Sequence, residues 1–161
     1  MNQQSLQLPN SLFLEEVRRN LQAGHTVKFR VRGWSMRPFL EHARDKVLLV
    51  SPERHPVRVN DVALVLADDG RYVLHRVVEI DGEGNVTLWG DGNVVGRETA
   101  RPDNIIGVAE AFYIGEKEKH RSVTGRAWRW HTWFWMHTTF MRRYLLFAYR
   151  VWRKVFPVKQ K

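Results

Sequence analysis

Alternation of apolar and polar positions runs through most of the chain up to residue 114. Val27-Lys28-Phe29-Arg30-Val31 has the period of a half-buried strand. Apolar, β-branched runs follow at Lys46 to Val50, Val62 to Ala67, Tyr72 to Ile80, Val86 to Trp89 and Ile105 to Ile114. Between them, Asp68-Asp69-Gly70 and Asp81-Gly82-Glu83-Gly84-Asn85 read as hairpin turns. Ahead of the strands, Leu12, Val17 and Leu21 recur among Glu15, Glu16, Arg18 and Arg19, with Asn10 or Ser11 as cap and Gly24 as stop. This predicts a short amphipathic helix over residues 10–23 that packs on the domain. A parallel sheet would require helical crossovers, and the pattern between 26 and 114 offers none. The expected fold is mainly β: one compact domain over residues 1–118 with an N-terminal helix.

From Trp128 onward the pattern changes. Projected as one helix, Trp133, His137, Phe140, Tyr144, Ala148, Val151 and Val155 form a stripe, with Arg142, Arg143, Arg150, Arg153 and Lys154 opposite. Trp128 to Trp135 also alternates well enough for a strand, which leaves the helix start open. Charge sharpens the division. The chain carries +9 in all, and eleven of its 26 Lys and Arg but none of its 17 Asp and Glu lie in residues 119–161. That segment is therefore +11 and the rest −2. The two regimes meet near Gly115 to Gly125, and residues 119–161 read as a basic, Trp-rich, helical appendage. Such a helix suits a membrane interface, through residues 128–156, or docking on its own domain or on a partner. Aromatics interleaved with arginine can also stack on nucleic-acid bases. Nucleic acid ranks below the other readings, because the rest of the domain is slightly acidic and carries no nucleic-acid motif.

The 161 residues suffice for one ordinary core. Cysteine is absent, which excludes disulfides, a thiol nucleophile and cysteine zinc sites. No apolar run reaches the length of about 18 residues that a spanning helix needs, and Met1-Asn2-Gln3-Gln4 lacks the start of a secretory signal. The expected location is cytoplasmic, or peripheral at one face of a membrane. No cofactor or metal is expected.

The candidate for chemistry is Ser35, in Arg32-Gly33-Trp34-Ser35-Met36-Arg37-Pro38-Phe39 between the first two strand-like runs. Gly33 permits backbone geometry that side chains resist, and Pro38 biases Arg37 away from helix. A serine hydroxyl needs a base. No lysine occurs between Lys46 and Lys117, which removes a Ser-Lys dyad drawn from the later strands. His75 lies mid-strand on the face of Val73 and Val77, either as a base or as a core-edge histidine satisfied by a carbonyl. Asp91, in Trp89-Gly90-Asp91-Gly92-Asn93, is a carboxylate that could orient it, or a plain Asp-Gly turn.

The order of these boxes resembles the signal peptidase and LexA-type superfamily of serine endopeptidases. Gly33-Trp34-Ser35-Met36-Arg37-Pro38 is similar to the nucleophile box. Arg44-Asp45-Lys46-Val47-Leu48-Leu49-Val50 and Asn60-Asp61-Val62-Ala63-Leu64-Val65 are similar to the two strands that follow it. His75-Arg76-Val77-Val78 resembles the His-Arg-Val box of the archaeal and endoplasmic-reticulum enzymes, Gly90-Asp91-Gly92-Asn93 their Gly-Asp-Asn-Asn box, and Ile105-Ile106-Gly107-Val108 the closing strand. The resemblance covers about residues 27–114. It implies a signal-peptidase-like β domain with Ser35 as nucleophile, His75 as general base, Asp91 as the carboxylate on His75, and the Ser35 N–H in an oxyanion hole. The departures are particular. Gly33 stands where many signal peptidases have a serine, and Arg44 and Asn60 replace glycines. Arg97 occupies the place of a second aspartate, with Glu98 and Asp103 as the nearest other carboxylates for the third role. No membrane anchor and no helix-turn-helix precedes Ser35. The implied activity is cleavage of a leader or signal-like peptide at or near a membrane. The contrasting reading is a non-catalytic module that binds a peptide or a membrane on the same scaffold.

Overall fold

The strand Tyr72–Ile80 (β4) lies between β3 (Val62–Leu66) and β5 (Val86–Trp89), and both of its faces are covered. That double burial organises the molecule. The computed structural model describes residues 10–156. Its remaining strands are β1 (Val27–Arg30), β2 (Lys46–Val50), β6 (Glu98–Ala100), β7 (Ile105–Ile114) and β8 (Lys119–Ser122); its helices are α1 (Asn10–Gln22), α2 (Arg126–His137) and α3 (Arg142–Val155). The strands form one antiparallel sheet in the order β1-β2-β7-β3-β4-β5-β6, with β8 added to β7. The fold is mainly β with helices at both ends, as the alternation predicts.

β7 joins the two halves of the sheet. Its first residues pair with β3, Val108 to Tyr113 pair with β2, and its last four pair with β8. Because β8 begins at Lys119, the change in composition at residue 118 falls inside the sheet rather than at its edge. Val17 and Leu21 of α1 are buried with Met36, Leu40, Val47, Leu49 and Phe112 on one side. Ala63, Val65, Val73, Val77, Val86 and Leu88 form the second core.

The appendage is two helices rather than one. Thr138 takes a non-helical conformation, and Thr139–Met141 make a 3₁₀ turn before α3 starts. Adjacent β-branched threonines favour such a break. Trp128, Thr132 and Trp135 of α2 are buried. The Trp128 ring lies 4.8 Å from Phe112 and 4.4 Å from Phe39, so α2 closes the core beside the Ser35 turn.

Candidate active site

The Ser35 turn is held from several directions. Gly33 has φ +105°, a conformation that favours glycine, and its N–H donates to His42 Nδ1 at 2.8 Å. Trp34 stacks on His42 at 4.5 Å, and the Arg37 guanidinium lies 3.8 Å from the Trp34 ring. Arg37 also pairs with buried Glu41. Met36 and Leu40 anchor the turn in the core, which leaves Ser35 half-exposed. From the other side, Gly92 N–H donates to the Ser35 carbonyl at 2.6 Å. A Cβ at Gly90 would come within 2.6 Å of that carbonyl oxygen, and one at Gly92 within 2.6 Å of the Trp34 carbonyl oxygen. The glycines of Gly90-Asp91-Gly92 therefore let this loop seat the serine.

His75 stands opposite Ala63 across the β3–β4 ladder and is 4 % exposed. Its Nδ1 lies 2.9 Å from Glu98 Oε2. An ionised carboxylate only accepts, so Nδ1–H donates to it, and the contact leaves Nε2 directed away from Glu98. The position a Gly90 Cβ would occupy is 3.1 Å from His75 Nε2, 2.8 Å from Asn93 Nδ2 and 2.6 Å from the Ser35 carbonyl oxygen, so these groups converge. Ser35, His75, Glu98 and Asn93 line one cleft of about 330 Å³. Among the described residues, neither the hydroxyl nor the N–H of Ser35 has a hydrogen-bond partner. The cleft thus combines a free hydroxyl, an oriented imidazole with an open nitrogen, and an unengaged backbone donor.

Asp91 does not orient His75. Its two oxygens take Arg76 Nε at 2.8 Å and Arg76 Nη2 at 2.6 Å, and both residues are fully buried. The cause is the period of the strand: His75 and Arg76 are consecutive, so they point to opposite faces, and Asp91 turns to the arginine's face. Arg76 Nη1 also donates to Thr132 Oγ1 of α2 and to the Asn60 carbonyl, each at 3.0 Å. Asp103 lies exposed in the 3₁₀ turn Pro102–Asn104, and Glu98 alone of the three carboxylates reaches His75. The register of β4, β5 and β6 brings Glu98 there. Val77 pairs with Leu88 and Leu88 with Glu98, which places Glu98 on the histidine's face two strands away. Because β5 ends at Trp89, opposite Arg76, nothing in the ladder separates Glu98 from His75.

The tail helices brace both turns. Tyr149 O–H donates to Glu41 Oε2 at 2.8 Å, and Arg153 lies 3.4 Å from Glu41 Oε1. Burial alone would raise the Glu41 carboxyl, but hydrogen bonds from Arg37 and Tyr149 and the charges of Arg37 and Arg153 outweigh it and hold it below the ordinary 4.5. The Tyr149 phenol is pushed up to about 12 by burial and by that bond to Glu41. Arg142 is buried with its guanidinium 3.6 Å from the Trp89 ring, and burial pushes it down to about 10. Burial likewise lowers His131.

Among the described residues no group of three or more His, Cys, Asp or Glu is placed to hold a metal ion, and no helix is long and apolar enough to cross a membrane. No protein-family model matches the chain, and no curated protein matches it.

Proposed function

We propose that this chain is a serine endopeptidase that cleaves a leader or signal-like peptide at or near a membrane surface. The observation that carries the reading is a buried His75 whose Nδ1 is held by Glu98 in the cleft that Ser35 lines. The order of the boxes, similar to signal peptidases and LexA-type repressors, supports it further. Ser35 Oγ attacks the scissile carbonyl while His75 Nε2 takes its proton, and Glu98 steadies the resulting imidazolium. The Ser35 N–H donates to the developing oxyanion. His75 then gives its proton to the leaving amine. Water, activated in turn by His75, hydrolyses the acyl ester and frees Ser35. Gly33 brings no hydroxyl to the oxyanion, so the backbone carries that task together with whatever Asn93 adds.

The test is cleavage of leader-type peptides by the purified chain. Ser35→Ala and His75→Ala should each lower the rate by about a thousandfold or more. Full activity in either variant sinks the mechanism. Peptide binding without cleavage would instead make the cleft a recognition site, the second use of the same scaffold.

A further inference from the structure

A surface helix ordinarily turns its apolar stripe to the protein and its charges to water. α3 instead turns two of its arginines inward and its apolar stripe outward. Arg142, Leu146, Tyr149 and Arg153 face inward, with Arg142 on Trp89 and with Tyr149 and Arg153 on Glu41. At 3.6 residues per turn, Tyr144, Phe147, Ala148, Val151 and Val155 fall on the opposite side, and all five are exposed. Phe147 is 68 % and Tyr144 69 % exposed. Phe140 in the connecting turn and Trp130 and Trp133 in α2 are exposed as well. Arg143, Arg150 and Lys154 run along one flank of this face, toward solvent.

We infer that the outward face of α3 docks on an anionic phospholipid bilayer. Aromatic rings of this kind settle at the boundary of headgroups and acyl chains, while the flanking cations meet lipid phosphates. Charge complementarity selects this occupant. Residues 119–161 contain no Asp or Glu, so a second copy laid on the same face would set its flanking cations against like charges, whereas anionic lipid supplies the counter-charge. The docking has a structural consequence. Glu41, which holds α3, also holds Arg37 beside Ser35, and Thr132 of α2 holds Arg76, whose partner Asp91 lies in the loop that seats Ser35. The bilayer-bound helices thus fix the cleft in one orientation at the interface. This deepens the peripheral placement proposed above and does not depend on peptide cleavage.

The experiment floats the intact chain carrying Ser35→Ala with vesicles of phosphatidylcholine alone and of phosphatidylcholine mixed with phosphatidylglycerol. Binding should favour the anionic vesicles, shift tryptophan fluorescence to the blue and weaken at high salt. Arg143→Glu/Arg150→Glu and Phe147→Ser/Val151→Ser change only solvent-facing positions. Each pair should lower affinity by about tenfold or more while the melting temperature holds. Equal binding to both vesicle types, or unaltered binding by both variants, overturns the inference. So does a concentration-dependent dimer that Phe147→Ser/Val151→Ser dissolves in a chain that floats with neither vesicle. Peptide cleavage by the unmodified chain is measured apart, so that reading stands or falls separately.

Discussion

His75 and Arg76 are neighbours in β4, each paired with one carboxylate, yet the two pairs do opposite work. His75–Glu98 lies at a cleft, with one imidazole nitrogen left open and Arg71 at 3.7 Å as a second, looser neighbour of the carboxylate. Arg76–Asp91 is sealed, bidentate and capped by Thr132 and the Asn60 carbonyl. A buried bidentate pair specifies how parts fit, because an unpaired charge in its place is severely penalised. The first pair leaves a ring nitrogen facing the cleft, where the proposed mechanism uses it; the second clamps α2 and the Gly90–Gly92 loop to the sheet.

That contrast can be broken by exchanging the two carboxylates' charges for amides. Glu98→Gln should lower peptide cleavage by about a thousandfold or more and leave the melting temperature nearly unchanged, on the scale expected when the carboxylate of a serine triad is neutralised. Asp91→Asn should instead destabilise the fold by about 3–5 kcal/mol, read by denaturant titration. If Asp91→Asn removed activity in a protein of normal stability while Glu98→Gln remained active, the two roles would have to be swapped. Thr132→Val, which leaves one Arg76 N–H without its acceptor, should cost about 1–3 kcal/mol and loosen α2.

The Glu41–Tyr149 contact sharpens the comparison through pH. The Glu41 carboxyl is held below its ordinary value, so its stabilisation is present above pH 4.5 and is lost as the pH falls through the folded-state value. The Tyr149 phenol is raised, so its stabilisation is present below pH 10 and is lost as the pH rises toward about 12. Melting temperatures of Tyr149→Phe should fall below those of the parent by an amount equivalent to about 1 kcal/mol at neutral pH, and the difference should shrink in the alkaline window. A constant difference from pH 9 to 12 would remove Tyr149 from the account.

Much of the fold was legible because alternation reports burial directly. Tyr72 to Ile80 and Ile105 to Ile114 appear as strands within the predicted bounds. β6 was missed: three residues, Glu98-Thr99-Ala100, are too few to show a period. β8, Lys119-His120-Arg121-Ser122, was hidden by its polarity, since an edge strand with little buried surface needs no apolar residues. Ser35 and His75 stood out through Gly33, Pro38 and the valines around the histidine. His42, which fixes Gly33 through its ring nitrogen, carried no such signal, because nothing in its polar surroundings tells where the chain folds back.

By itself, then, the sequence determined an antiparallel β domain, the face of β4 that His75 shares with Val73 and Val77, and a cationic aromatic tail. The tertiary structure alone decided which carboxylate serves the histidine and which way α3 turns. The physical reason is the same in both cases. Period and composition assign residues to faces of their own element, but the partner on each face comes from another part of the chain. Asp91 was drawn to buried Arg76 and Glu41 to Tyr149 and Arg153, and these pairings left Glu98 for His75 and turned the apolar side of α3 outward.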